Sequence, residues 1–325
     1  MKAMILAAGL GTRMNELSKK IPKPLLPVFN IPLIHYQLYQ LKKVGVTDVV
    51  LNLHHFGNKI KKTLGTHFDG VKLHYSEEKP KILGTGGGIK HAQNLLDDQE
   101  NFILLNSDFV TDLPLKELMN THAVSGALAT LLVVSQSQEP ADLNIDRDGF
   151  ISEFTKDGKY MFCGVHILEN RILNYLKPGY SCIIKDGYEN LLKKRMERIK
   201  VLIHKKPFHN FGTFDLYLKN QLKILSTLKQ HQLFFKIIKH FFPRLKELKK
   251  GIWITGPLKN IENIKIKSPV FIGKNVRITN KCTIGPHVVL GDGVIIHEKS
   301  TIKNSIVFND QVIKKNSKII NQIIF

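Results

Sequence analysis

Glycine and positive charge recur together in the 325-residue chain at spacings that suit phosphate chemistry. The apolar run Lys2 to Ala7 reads as a buried strand, and it enters the loop Leu6-Ala7-Ala8-Gly9-Leu10-Gly11-Thr12-Arg13-Met14. Glycines at such a turn let backbone N–H groups approach an anionic oxygen closely, and Arg13 adds a cation. About ten residues on, Pro22-Lys23-Pro24-Leu25-Leu26-Pro27 carries a second cation on a segment stiffened by proline. A further glycine segment, Leu83-Gly84-Thr85-Gly86-Gly87-Gly88-Ile89, follows Glu77-Glu78. Such a set can hold a polyanion and neutralise charge while bonds at phosphorus change.

The elements that must position these residues alternate. A helix is expected from Pro32 to Val44, with Leu33, Ile34, Leu38 and Leu41 at helical spacing, and a second between Gly88 and Leu96. Strands are expected at Asp48–Leu53, Val71–Tyr75, Phe102–Asn106 and Ala127–Val134. Alternation of this kind implies a mainly parallel, doubly wound α/β sheet with ligands at the carboxyl ends of its strands. Residues 214–250 read as one or two lysine-rich helices broken at Pro243. From Ile264 the period becomes six, from IKIKSP to KIINQI, and the third position is apolar except at Lys314. This is the hexapeptide pattern of a left-handed parallel β-helix, of about three coils. The boundaries expected are 1–218 for the α/β domain, 219–263 for a helical linker and 264–325 for the β-helix.

The first loop together with Pro-Lys-Pro-Leu resembles the signature of the sugar-1-phosphate nucleotidyltransferases. The resemblance covers residues 1–218 and is closest in look to the mannose, manno-heptose and N-acetylmuramate 1-phosphate types; a hexapeptide tail also occurs in many members. It implies a Rossmann-like nucleotidyltransferase domain that joins a nucleoside triphosphate to a sugar 1-phosphate and releases pyrophosphate. The nucleotide would meet Leu6, Ala7, Ala8, Gly9, Gly11, Thr12 and Arg13, and then Glu78, Gly84, Thr85 and Gly86. Asp108, in Asn106-Ser107-Asp108, takes the place of the family's metal aspartate. Lys156 in Phe154-Thr155-Lys156 and Gly164 in Phe162-Cys163-Gly164-Val165 would meet the sugar phosphate. Catalysis would rest on Arg13, Lys23 and Asp108, with Mg²⁺ as the metal and Mn²⁺ as a second candidate. The resemblance tilts toward GTP and a mannose-like sugar, for cell-surface glycan synthesis.

The chain departs from the family at Phe208-His209-Asn210-Phe211-Gly212-Thr213, where Asn210 replaces the second metal aspartate. An amide oxygen still ligates a dication but brings no charge, so a weak or non-catalytic nucleotide-sugar-binding homologue is the alternative reading. His297 and His287, the candidates for acyl transfer in the β-helix, lack a long inserted loop that would make an acceptor pocket.

Composition narrows the classes further. The charge is 48 − 27 = +21, and residues 219–250 with 264–325 hold 19 basic side chains against 4 acidic ones. No zinc finger, RNA-recognition motif or heptad-linked basic region accompanies that excess, so nucleic acid is not the expected partner. The basic, aromatic stretch Leu233 to Phe242 suits a membrane surface or a packed helix, and packing is the favoured reading. No apolar run approaches the roughly 18 residues of a membrane span, and the start does not read as a secretory signal, so a cytoplasmic location is expected. Cys163, Cys182 and Cys282 lack paired spacing and read as buried free thiols. The exposed end of a β-helix is a surface that a second copy can cover, so a homo-oligomer is expected.

Overall fold

The computed structural model describes residues 1–98, 100–135, 140–258 and 263–325. Two compact units are present: Met1–Thr12, Ile21–Pro24 and Gln37–Phe208 form one, and Arg13–Lys20, Leu25–Tyr36 and His209–Phe325 form the other.

The first unit is built on an eight-stranded sheet. Its strands are β1 (Lys2–Leu6), β2 (Asp48–Leu53), β3 (His67–Phe68), β4 (Val71–Glu77), β5 (Asn101–Asn106), β6 (Ala129–Val134), β7 (Met161–Glu169) and β8 (Ile199–Ile203), in the spatial order β8-β6-β7-β5-β1-β2-β4-β3. The central strands are short runs of Ile, Leu, Val and Phe buried along their length, as parallel strands covered on both faces must be. β1 pairs in parallel with both β2 and β5, and β8 with β6, whereas β7 runs antiparallel between β5 and β6. The order reverses at β1, so the carboxyl ends of β1 and β5 open a crevice at a topological switch point.

α1 spans Leu33–Lys43, as its spacing predicts. α2 begins at Gly84 and runs to His91, so the second glycine segment is the first turn and a half of a helix rather than a loop before one. Its glycines allow close packing: a Cβ on Gly87 would lie 2.0 Å from the Gly179 carbonyl oxygen.

In the second unit, α3 (Phe214–Ser226) and α4 (Gln232–Phe241) break at residues 227–231, ahead of Pro243. α4 buries Phe234, Ile237 and Ile238 and sets the Phe235 ring 5.6 Å from that of Trp253, which accounts for its apolar face by packing. Short parallel strands follow in three sheets, with partners 18 residues apart in the first coils, as in Ile252–Ile254 against Val270–Ile272 and then Val288–Leu290. The arrangement is consistent with a parallel β-helix. Its first strand, Ile252–Ile254, lies two hexads before Ile264, because the intervening sequence LKNIEN has Asn260 at the third position and hides the period; residues 259–262 of the expected linker lie outside the described residues.

The period also slips, first after Ile302 and again after Ile319, where Val307 pairs with Ile324. Val288 pairs with Ser305 and Ile295 with Val312, a spacing of 17, because the corner Gly285-Pro286-His287 is replaced by Lys303-Asn304, with Asn304 at φ 49°. The interior residues of the later coils are therefore Val307, Ile313 and Ile319, one position before the Phe308, Lys314 and Ile320 expected from strict hexads. Phe308 is still apolar because it faces outward, 6.2 Å from the Tyr217 ring.

Candidate functional site

Leu6 is in register with Asn52 on one side and Asn106 on the other, so three strand ends meet at the crevice. Past Leu6 the chain enters the glycine loop, where Ala7 and Ala8 are buried, Gly9, Thr12 and Arg13 are exposed, and Gly11 takes φ 67°. That left-handed conformation suits glycine, and it turns the chain before Arg13.

A buried carboxylate fixes the loop against the second glycine segment. Ala7 N–H donates to Asn52 Oδ1 at 2.8 Å, Asn52 Nδ2 donates to Glu78 Oε1 at 2.7 Å, and Leu83 N–H donates to Glu78 Oε2 at 2.7 Å. Glu78 is fully buried, with both oxygens engaged inside the protein, which makes it a strut between two segments expected to meet the nucleotide. Gly88 is required beside it, because a Cβ there would lie 2.6 Å from Glu78 Oε1 and 2.8 Å from Asn52 Nδ2. At the start of α2, Gly86 N–H donates to the Ser181 carbonyl at 2.9 Å and Thr85 Oγ1 accepts from Ile183 N–H at 2.9 Å. Gly86 is buried, so its place is in the packing of the helix start.

Beside Leu83 lies a cavity of about 640 Å³, lined by His54, Pro80 to Leu83, Gly179 and Tyr180. Its residues are mostly apolar and come from three separate stretches, so sequence reasoning missed His54 and Tyr180.

Asp108 sits two residues beyond the end of β5, and its Oδ2 accepts from Lys23 Nζ at 3.2 Å. The lysine side chain is 11% exposed and the carboxylate 25%, so the pair is partly shielded from solvent. Gln37 Nε2 donates to the Asn106 carbonyl at 2.5 Å and so steadies the turn that carries Asp108. Gly164 lies in an irregular stretch of β7 with φ 72°, where a Cβ would lie 2.5 Å from Asn106 Nδ2. Lys156 is exposed on the turn after the strand Ile151–Phe154. Asn52 and Gln37 were also missed; the only trace of Asn52 in the sequence is a polar residue near the end of an apolar run.

Asn210 belongs to the second unit. Its Oδ1 accepts from Gly212 N–H at 2.5 Å, and its main-chain oxygen accepts from Asn220 Nδ2 at 2.6 Å. His209 beside it packs against the rings of His231 and Phe234, and burial pulls it from 6.5 to about 4, with repulsion from His231 and Lys223 adding to the shift. It is a packed neutral ring at pH 7. No cluster of three His, Cys, Asp or Glu side chains suited to a metal occurs among the described residues. Asp108 in the first unit offers a carboxylate and Asn210 in the second an amide carbonyl; each is a hard oxygen of the kind that suits Mg²⁺ when substrate phosphates and waters supply most of the shell. Cys163 and Cys282 are buried free thiols, and Cys182 is half-buried. No helix among the described residues is long and apolar enough to cross a membrane.

Comparison with known proteins agrees with this geometry. The nucleotidyl transferase family matches residues 2–227, and the GMPPB C-terminal domain matches residues 266–325. The mannose-1-phosphate guanyltransferase of Candida albicans is 33% identical over 209 residues, covering 60% of this chain and 57% of that protein. The Arabidopsis thaliana protein named "Probable mannose-1-phosphate guanylyltransferase 2" is 26% identical over 305 residues, covering 87% of this chain and 78% of that one. The match thus spans a little over half the length of the Candida relative and more of the plant one. The crystal structure of HddC from Yersinia pseudotuberculosis superposes with a TM-score of 0.58 at 25% identity, covering 69% of this chain and 99% of that one. With a family match over more than half of its residues and the switch-point crevice to support it, the chain belongs to the nucleotidyl transferase family.

Proposed function

We propose that the protein transfers a nucleotidyl group from a nucleoside triphosphate to a sugar 1-phosphate, with GTP and a mannose-like sugar as the favoured pair. The observation that carries this reading is the pairing of Lys23 with Asp108 just beyond β5, whose last residue Asn106 is in register with Leu6, where the glycine loop leaves β1. The names of the relatives support guanylyl transfer to mannose 1-phosphate.

A sugar phosphate is already ionised at pH 7, so its oxygen attacks the α-phosphorus without a general base, and pyrophosphate leaves in line. The protein's task is placement and charge neutralisation. Loop amides from Gly9 to Thr12 and the Arg13 guanidinium bind the β- and γ-phosphates. Lys23 binds the α-phosphate as its charge grows, and Asp108 holds the ammonium in place until substrate arrives. Lys156 and the chain at Gly164 receive the sugar phosphate. The cavity lined by His54, Ile82 and Tyr180 takes the flat face of the base. Asp108 would hold Mg²⁺, which would supply charge screening between the two polyanions, and Asn210 stands where the family resemblance expects the second ligand.

In this reading residues 1–218 are the nucleotidyltransferase domain, and the strand stack that begins at Ile252–Ile254 and continues through 264–325 is a left-handed β-helix that serves assembly in a cytoplasmic homo-oligomer. The non-catalytic alternative rests on Asn210 and on the altered stretch Phe154-Thr155-Lys156, and the comparisons do not favour it over transfer. Pyrophosphate release is the test, measured with four nucleoside triphosphates against a panel of sugar 1-phosphates, in Mg²⁺ and then Mn²⁺, beside Asn210→Asp. Turnover with one pair is expected. Silence in the native chain with activity in Asn210→Asp would instead favour the binding role.

A further inference from the structure

The lysine excess of the last coils is not spread evenly around the strand stack. Lys265–Ile266, Thr283–Ile284, Thr301–Lys303 and Lys318–Ile320 form one sheet within the second compact unit. Its register stacks Lys265, Thr283, Thr301 and Lys318 in one column, while Ile266, Ile284, Ile302 and Ile319 stack toward the interior. Lys267 N–H donates to the Ile284 carbonyl and Gly285 N–H to the Ile302 carbonyl, each at 2.8 Å, so Lys267, Gly285, Lys303 and Ile320 make a second column. The corner that leads into this sheet repeats in the same way. Thr279, His297 and Lys314 share one column and Asn280, Glu298 and Lys315 the next. Lys281, Lys299 and Asn316 form the third, left-handed in each coil at φ 60°, 57° and 61°.

This sheet and its corner thus carry eight of the ten lysines and arginines of residues 264–325, but only Glu298 of the three carboxylates. All eight are exposed, and none pairs with a carboxylate among the described residues. A compositional habit alone would distribute lysine over every side. Here the sides differ. The sheet that contains Ile252–Ile254 turns Trp253 and Phe271 against Phe235 and Phe242, and the third sheet presents Arg277, Ile295 and Val312 in one column. Like charges on neighbouring coils, about 4.8 Å apart along the stack, repel one another, so the lysine side favours an anion that covers it.

The kind of anion follows from the residues that form the columns. They include no Phe, Tyr or Trp on which a nucleobase could stack, and no Arg to fork on a single phosphate. Lysines are point charges on flexible stems, and a spread of them suits many mobile headgroups at once. We propose that this lysine side docks the second unit on an anionic lipid bilayer surface, as a peripheral contact made by charge. The contact is independent of the reaction proposed above.

The test sediments full-length protein with vesicles of phosphatidylcholine, alone or with about one-third phosphatidylserine. Native protein is expected to sediment with the anionic vesicles at about 50 mM salt, to leave them at about 300 mM, and to ignore the neutral ones. Lys265→Gln, Lys267→Gln, Lys303→Gln and Lys318→Gln combined weaken partition by about 10²-fold or more, since each lysine near such a surface contributes roughly fivefold. Removing the same charge elsewhere on the unit, with Lys236→Gln, Lys246→Gln, Lys249→Gln and Lys250→Gln, leaves partition within about threefold of native. Where the first set lowers the thermal midpoint, Lys281→Gln with Lys299→Gln decides instead, with an expected loss of about 10- to 30-fold. Equal losses in the two fourfold variants overturn the proposal, because net charge then governs. So does failure of the native protein to sediment with anionic vesicles at low salt. Tighter binding of the native protein to single-stranded RNA or to an acidic peptide than to the vesicles, lost in the same lysine variants, also overturns it and assigns this side to that polymer.

Discussion

Charge placement in the crevice is set by single residues. Lys23 and Asp108 neutralise each other across 3.2 Å in a partly shielded site, and substrate must divide them. Lys23→Ala is expected to lower kcat by about 10²- to 10³-fold, the usual loss on removing one donor to developing charge, with a smaller change in KM, and pyrophosphate release measures both. Glu78 makes a different prediction. Its two oxygens accept from Asn52 and from the Leu83 amide, so Glu78→Ala leaves a buried donor unmet and costs about 1–3 kcal/mol, read as a lower midpoint in denaturant. Glu78→Gln does not rescue it, because any amide orientation sets an NH₂ against one of two donors. Position in the sequence marked Glu78 as part of the site. Its role as a strut was not legible, because the partner that defines it, Asn52, lies 26 residues away and carries no motif.

Elements translate these residues into a frame. The strands of the central sheet were legible because each is a short apolar run buried on both faces; the start of α2 was not, since glycine disfavours helix and the run Gly84–Gly88 reads as loop. Tertiary packing decides the matter: the helix approaches the Gly179–Ser181 stretch too closely for any side chain. Gly164→Ala on β7 adds a methyl group 2.5 Å from Asn106 Nδ2 at a left-handed position, and is expected to disturb the turn bearing Asp108, with a fall in kcat accompanied by loss of stability. β7 also carries His166, which burial lowers from 6.5 to about 3 while its Nδ1 and Tyr188 Oη stand 2.7 Å apart. The folded state favours the neutral ring, so the unfolded chain takes up the proton first. The contribution of His166 is therefore complete above about pH 6.5 and declines as pH falls toward 3, by up to about 1.4 kcal/mol per pH unit. Denaturant midpoints at pH 7, 6 and 5 should fall more steeply for the native protein than for His166→Leu.

Across the whole molecule, periodicity reveals a repeated strand stack but not its exceptions. A period of six predicted interior positions up to Ile302, and strict counting beyond it assigns Lys314 to the interior, a site at which an unpaired charge would cost several kcal/mol. The chain avoids that cost at the corner where Lys303-Asn304 does the work of Gly285-Pro286-His287 with one residue fewer and shifts the interior positions Val307, Ile313 and Ile319 back by one. Neither corner has a length that propensity alone reveals, since asparagine and glycine both turn left-handed. The shift sets two neighbouring residues apart in energy. Ile313 is 4% exposed and belongs to the interior cluster, whereas Lys314 is exposed. Ile313→Ala is expected to cost about 2–4 kcal/mol through lost burial and the cavity left behind, and Lys314→Ala to stay within about 0.5 kcal/mol of native. Equal costs in thermal or denaturant unfolding would mean that the coils keep strict hexads to the end. A large cost at Ile313 alone would confirm the slip. It would also mean that Val307, three residues past Asn304, faces inward because of that corner rather than in spite of it.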